Sequence, residues 1–521
     1  MTETQITDVL IVGAGPVGLT LACDLARRGV AYRIIDQEAT YHTGRAAGLS
    51  PRTQEIFEDL GLLEQLAAYD APIPWRFYDR DNRVVREIDP ASNPLPATPD
   101  VPYPGTLNVG QQEIETVLRE CLASFGRHVE LDCRLVDFTQ HPDYVEASVQ
   151  HEGTSEAIQT RYLVGCDGGH STVRKGAGIP FEGETRPNAY SLAGVIRVSG
   201  LAPMCRHIWR DPESGLQLSL TPRIHDDTWG VVMGTTLDEV PTASVETLQR
   251  LFDERVRMPG VRLSNSTWVS VHPSNKRMVE RYRSGRVLLA GDAAHVGVFF
   301  GMQTGIQDVY NLGWKLAHVL LGAPDALLDT YQVERLPVAR DDLAAGGVAV
   351  GAQAVANALL KGTSAEQKPA PSAPSAVILT QLGITYRGSR LSCDLDDTTG
   401  IRAGDRAPDA PCIRAASGEK VRLFDLFRGT HFTLLVFGEQ PVPPLPDVYS
   451  SYLRAYTITR PGNATAISHD AIIDSDRHAS HAYGIADDAL ILVRPDGYIG
   501  LTGGSTDPQS IIDYLRDVAG Q

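Results

Sequence analysis

No two cysteines in this 521-residue sequence stand as CxxC, and none falls at a zinc-type spacing. The seven that occur (Cys23, Cys121, Cys133, Cys166, Cys205, Cys393 and Cys412) form no framework and are odd in number. This excludes a disulfide-stapled scaffold and a dithiol redox centre and gives no reason to expect a metal. It suggests reduced thiols in a cytoplasmic protein. Positive charge is also short, with 47 Lys and Arg against 64 Asp and Glu, a net charge of −17. Nucleic acids and anionic membranes need a positive surface, so neither is expected as a partner. The start, MTETQITD, lacks the basic and apolar regions of a signal peptide. One long uncharged run exists, the 18 residues Leu343 to Leu360. It is rich in Ala and Gly and holds Gln353 and Asn357, which favours a closely packed buried helix over membrane insertion.

A chain of this length, 42% hydrophobic, suggests roughly two to four domains with large cores. Residues 8–12 (DVLIV) read as a short buried strand. Residues 16–28 have helical spacing, with Pro16 at the first turn and Gly29 after the end, and 31–35 read as a second strand. Such a β-α-β unit places its strands in parallel. Alternating patterns from about 128 to 165, and strand-like runs between 190 and 275, predict antiparallel sheet. The strand RVLLA (286–290) leads into a helix from about 302 to 320, with helical runs to about 361. Lys361 to Ser375 is rich in Pro, Ala and Ser and reads as a linker. Beyond about 400 a smaller αβ region carries strands at HFTLLVFG and ALILVRPDG and a final helix near 507–518.

Three short motifs carry chemistry. Gly13-Ala14-Gly15-Pro16-Val17-Gly18 is a GxGxxG between a strand and a helix. Gly13 permits the tight turn, Gly15 admits a pyrophosphate to the backbone, and Gly18 lets the helix approach the sheet. Asp36 follows at the end of the second strand, where a carboxylate accepts hydrogen bonds from a ribose. Cys166-Asp167-Gly168-Gly169-His170-Ser171-Thr172-Val173-Arg174 and Gly291-Asp292 also follow strands. Each taken alone reads equally as a strand-end turn.

Together, GAGPVG, CDGGHSTVR, GDAAH and TGIQDVYNLGWKLA resemble, in kind and order, the motifs of the FAD-dependent aromatic hydroxylases. These are the single-component flavoprotein monooxygenases similar to para-hydroxybenzoate hydroxylase. GDRAPDAPC, VRLFDLFRGTHFTLLVFG and LVRPDGYIG resemble the C-terminal thioredoxin-like domain of the phenol and aromatic polyketide hydroxylase branch. The resemblance implies an α/β protein with three parts. A Rossmann-like FAD-binding domain (1–181 and 281–395) carries an inserted, mainly antiparallel β-sheet substrate domain (182–280). A thioredoxin-like domain (396–521) follows, redox-inactive because Cys412 stands alone.

The resemblance also implies roles. Gly13, Gly15, Pro16, Val17, Gly18, Asp36 and Asp167 would hold FAD. Arg45 in GRAAGL and Gln111 in GQQEIETVL fall where the family places flavin-contacting side chains. Gly291 would allow close approach and Asp292 would hydrogen-bond the ribityl chain. Gly301, Met302 and Gln303 would open a helix whose N–H groups face the flavin. His295 is a tempting catalytic residue, with loop fixation as its plainer role, and no catalytic acid or base is assigned. Trp209, Trp229, Met233 and Phe300 are candidate substrate-lining residues, core packing being the plainer role for most. The co-substrates implied are NADPH or NADH, bound transiently, O₂ and a small aromatic compound. A homodimer is compatible with the pattern.

One stretch departs from the family. Between GDAAH and the helix, members carry a Pro- and Gly-rich loop similar to PPxGGxGxN. Here Val296-Gly297-Val298-Phe299-Phe300 stand instead, followed by GMQ, with no proline and with Gln303 in place of Asn. Three readings therefore stay open: an aromatic hydroxylase, a flavoenzyme doing Baeyer–Villiger or non-hydroxylating redox chemistry, and a flavin-free ligand-binding or scaffold relative.

Overall fold

The computed structural model describes residues 6–41, 48–70, 73–89, 96–151, 153–211, 216–223, 226–298, 300–344, 380–397, 400–461, 470–504 and 508–519. Arg45, Phe299, nearly all of the run Leu343 to Leu360, and the segment Lys361 to Ser375 lie outside these residues.

The first sheet is built around β1 (Thr7–Val12), apolar and buried from Val9 onward, the composition of a strand covered on both faces. It pairs in parallel with β2 (Tyr32–Ile35) and with β7 (Thr154–Gly165). α1 (Pro16–Arg27) crosses between β1 and β2. β7 pairs in parallel with β14 (Val287–Leu289), which turns back onto β13 (Arg283–Ser284). β5 (Cys133–Gln140) and β6 (Val145–His151) extend the sheet antiparallel from β7. Register is decisive here. Val12 and Leu289 both lie opposite Gly165, so β1, β7 and β14 end at one level. α1 packs against α4 (Gln111–Ser124) and α7 (Gly301–Leu320), with α2 (Pro51–Asp59) against α7 and α3 (Leu63–Ala67) against α4. α8 (Asp329–Ala344) packs on α7.

The second sheet has the order β15 (His295–Val296), β12 (Arg262–Met278), β8 (Glu182–Ser199), β11 (Trp229–Thr236), β10 (Leu216–Pro222), β9 (Arg206–Asp211), β3 (Trp75–Tyr78), β4 (Val84–Ile88). All its pairings are antiparallel except β3 with β9. It therefore reaches beyond 182–280, drawing in two strands from 75–88 and His295–Val296 shortly after the GD motif. α6 (Val245–Arg255) covers one face through Leu248, Leu251 and Phe252.

The third sheet has eight strands between Cys393 and Gly503. Its centre pairs Phe432–Phe437 with Ala489–Val493 antiparallel, every residue buried. The final helix is Pro508–Ala519. A fully buried ionic network ties this part to α7 and α8. Arg494 donates to both oxygens of Glu334 at 2.7 and 2.9 Å, Lys315 Nζ reaches the same carboxylate at 2.7 Å, and Trp314 Nε1 donates to Asp496 at 3.0 Å. All seven cysteines are unpaired. Among the described residues no helix is long and apolar enough to cross a membrane.

Candidate cofactor and substrate site

The three motif loops leave the C-terminal ends of adjacent parallel strands, where open α/β sheets place their ligands. Gly13 has φ of 101°, and a Cβ there would stand 2.4 Å from the Cys166 carbonyl oxygen. Only glycine lets the first loop touch the second so closely. A Cβ on Gly18 would meet the Gly13 oxygen at 1.9 Å, whereas one on Gly15 would meet nothing within 4 Å. Two glycines of the fingerprint thus close the turn and the third faces open space. Pro16 stands at the start of α1, and no side chain caps that helix. Its first amides are therefore left for an anion, and the loop fits a dinucleotide pyrophosphate.

Asp36 is buried and accepts from the Ala14 amide at 2.7 Å and the Glu38 amide at 3.0 Å. Its carboxylate is thus oriented by its own loops. Asp167 caps α5 (Thr172–Gly176), its Oδ2 accepting from Thr172 N at 2.7 Å and Val173 N at 3.1 Å. Its Oδ1 is buried without a partner. Burial raises this carboxyl above its usual range despite the hydrogen bonds from Ser171 and the backbone. A buried orphan acceptor at a motif loop fits a ligand hydroxyl. Arg174, quoted within the same motif but given no role from sequence, donates to Gly169 O at 3.0 Å and Ala293 O at 3.1 Å. It pins the second loop to the third.

In the third loop Gly291 adopts φ of 59°, and a Cβ there would lie 3.2 Å from Val17 Cγ2. Asp292 is exposed, while Gly291, Ala293, Ala294 and His295 around it are buried. The fully buried acid of this stretch is Asp308 on α7. It accepts from His295 Nε2 at 2.8 Å, Arg335 Nε at 2.8 Å and the Gly291 amide at 3.2 Å. Burial would raise Asp308, yet the Arg335 and His295 partners hold it below the usual carboxylate range. His295 is wholly buried and stacked beside Tyr282. Its place is in this loop-fixing network. Sequence reasoning missed Asp308 and Arg335 because their pairing runs between two helices and carries no local motif.

α7 also begins without a side-chain cap, at Gly301, Met302 and Gln303, close to the Asp292 carboxylate. Met302 packs on the main core. The Gln303 side chain accepts from the Ser50 amide at 2.8 Å and donates to Gly48 O, tying α7 to the segment after Arg45. Phe300, half-buried, stands immediately ahead of the helix. Between the GD turn and α7, His295 and Val296 pair antiparallel with Met278 and Arg277. Gln111 opens α4 and bonds Glu115 at 2.8 Å. Its neighbours Gln112 and Glu113 receive Arg223, at the end of β10.

Cross-strand register sorts the second sheet into two faces, because residues directly opposite one another point the same way. Tyr78, Trp209, Leu218, Met233, Leu192 and Val271 form one row. This row packs with Trp229 and α6 in the domain's own core. Trp209 stacks on Tyr78 at 4.6 Å and donates to Asn82. Trp209, Trp229 and Met233 are thus placed as core residues rather than as lining for a ligand. The alternate row is Phe77, Ile208, Ser219, Val232, Ala193 and Ser270. Among the described residues no helix of its own domain lies on that face, and Ser270 Oγ is buried there without a partner.

These loops and sheets define a flavoprotein of the dinucleotide-binding α/β class. Residues 6–345 match the family described as an FAD binding domain, and residues 401–521 match the aromatic-ring hydroxylase C-terminal family. A flavin-dependent monooxygenase of Mycobacteroides abscessus is 39% identical over 98% of this chain and 99% of its own. The 6-methylpretetramide 4-monooxygenase of Streptomyces rimosus is 32% identical over 99% and 94%. Aklavinone-11 hydroxylase, solved with FAD and aklavinone, superposes with a TM-score of 0.79 over the full length of both chains at 26% identity. The chain belongs to the FAD-dependent aromatic hydroxylases, the single-component flavoprotein monooxygenases.

Proposed function

We propose that this chain hydroxylates an electron-rich aromatic compound of the polycyclic polyketide or phenol type, using NADPH or NADH and O₂. The observation that carries the reading is the meeting of three loops at one level of the first sheet, with Gly15 open and Asp167 Oδ1 unpartnered. The relatives that act on 6-methylpretetramide and bind aklavinone support the polycyclic class. When bound, FAD would supply the redox chemistry that couples the nicotinamide and O₂ to oxygenation of the ring. The balance is substrate C–H plus O₂, NADPH and a proton to C–OH, water and NADP⁺.

The chain's own work is to hold and exclude. The amides at the start of α1 would take the pyrophosphate, with Gly15, Pro16 and Val17 lining its approach. Asp36 would take the ribose and Asp167 a cofactor hydroxyl. Asp292 would take the ribityl chain, and the first amides of α7 would favour negative charge on the flavin ring. Gln111 and Arg45 would flank the ring. The substrate would lie against the helix-free face of the second sheet, sheltered from water. The C-terminal part would act as a thioredoxin-like structural domain or homodimer contact, since Cys412 is buried and unpaired. Seven unpaired thiols suit the cytoplasm.

The visible spectrum of the purified protein, followed by NADPH addition in air, tests this reading. A two-band flavin spectrum that bleaches, with oxidation stimulated by an aromatic ligand, is expected. Asp292→Ala should release FAD, and unchanged flavin content in that variant would remove Asp292 from the site. The proline-free loop after His295 favours one other reading, a flavoenzyme that oxidises or reduces its substrate without inserting oxygen. Product mass separates them, one added oxygen on the ring against a change of two hydrogens.

A further inference from the structure

We propose that Arg206 is a specificity-determining residue that receives an anionic oxygen group carried by the aromatic substrate. This rests on the reading that the helix-free face of the second sheet is the substrate wall.

Arg206 opens β9 directly opposite Trp75 and shares its side of the sheet with Ile208. Its Nε donates to Ser219 Oγ at 3.1 Å, and its guanidinium carbon stands 4.9 Å from the centre of the Trp75 ring. Stacked and tethered in this way, a flat guanidinium is held with its remaining N–H edge free to act. Four other arginines with little exposed side chain hold carboxylates: Arg27 holds Asp24, Arg52 holds Glu55, Arg335 holds Asp308 and Arg494 holds Glu334, while the buried Arg174 is taken up by two backbone carbonyls.

Arg206 forms no ion pair among the described residues. Burial alone acts on it, pushing the guanidinium down to about 10. Arg210, two positions beyond Ile208 on the same face, is likewise lowered by burial with no acid to offset it. Beside them Trp75 Nε1 is buried without an acceptor. Arg206 and Arg210 are half-buried, within reach of a ligand on this face. A half-buried guanidinium that no carboxylate neutralises gains most from an arriving acceptor that is negatively charged, and the Trp75 N–H adds a second donor. The matching chemistry is a carboxylate, or an ionised enol or phenol, attached to the aromatic system.

The test is calorimetric binding to the FAD-loaded protein of two matched pairs. One pair is a hydroxynaphthoate and its methyl ester. The other is a hydroxynaphthoquinone, ionised at neutral pH, and its methyl ether. The anion of at least one pair should bind roughly tenfold or more tighter than its neutral partner, and the better pair identifies the anion source. Arg206→Gln should abolish that preference, a loss of roughly tenfold to a hundredfold in anion affinity, while Arg206→Lys should keep part of it. Trp75→Phe, which keeps a ring but removes the N–H, should weaken the anion alone. Flavin content shows that each variant is folded. Equal binding within both pairs, or a preference that survives Arg206→Gln, overturns the role of the arginine. If Ile208→Asp still weakens all four ligands in that case, the face stands as substrate wall. Failure of all four to bind overturns both readings.

Discussion

A Cβ on Gly305 would stand 2.7 Å from Val17 Cγ2 and 2.9 Å from the Gly291 Cα. The fingerprint, the GD loop and α7 meet at that point without room for a methyl group. Gly305→Val should therefore push α7 from α1, lower FAD affinity by roughly tenfold or more, and cost about 1–3 kcal/mol of stability. The ratio of flavin to protein absorbance and the melting temperature measure both effects. Full flavin content in the variant would show that this packing does not shape the cofactor site.

Asp308→Ala removes the one carboxylate shared by Arg335, His295 and the Gly291 amide. An uncompensated buried Arg335 should cost about 3–5 kcal/mol. The double variant Asp308→Leu with Arg335→Leu should recover part of that loss. Denaturant titration decides it. Equal stability of single and double variants would mean that the charge is satisfied elsewhere.

Met233→Ala should reduce stability by about 2–5 kcal/mol while leaving the KM for an aromatic substrate unchanged, because Met233 faces α6. Val232→Asp, one residue along and on the opposite face, should raise KM at least tenfold with a smaller change in melting temperature. Steady-state NADPH oxidation checks the pair. A KM change confined to Met233→Ala would reverse the assignment of faces.

His318 on α7 is buried against Trp314, Phe432 and Tyr452. Burial, aided by the nearby Arg28 charge, pushes its pKa down to about 4. The unfolded value is about 6.5. A depressed folded pKa gives stability that is complete above the unfolded value and is lost as pH falls through the folded one. Stability should thus drop by on the order of 3 kcal/mol as pH falls from about 6.5 to about 4. His318→Leu should flatten the profile of unfolding free energy over that window. An unaltered slope would place the titrating group elsewhere.

The cofactor motifs were legible because each is local. The strand, helix and strand expected at 8–12, 16–28 and 31–35 are found at Thr7–Val12, Pro16–Arg27 and Tyr32–Ile35, and α7 begins one residue from its expected start. Their convergence was not legible, since it depends on β14 and β1 flanking β7 in one register. The face proposed to carry the substrate was harder still. Alternation in WGVVMG shows which residues share a side, but not that α6 covers the side of Trp229 and Met233. Conspicuous aromatic residues drew attention to the core. Meanwhile Trp75 and Arg206 met through a parallel pairing of strands about 130 residues apart. Asp292 is exposed, and the buried acid of this stretch is Asp308 on α7.

His295 and Val296 pair antiparallel with Met278 and Arg277. The span between the GD turn and α7 is thereby stitched to the edge of the sheet that would carry the substrate. A free proline-rich loop would swing as a separate flap. Here only Ala293 and Ala294 separate Asp292 from the paired His295, so the position of the GD turn is fixed by the edge of that sheet.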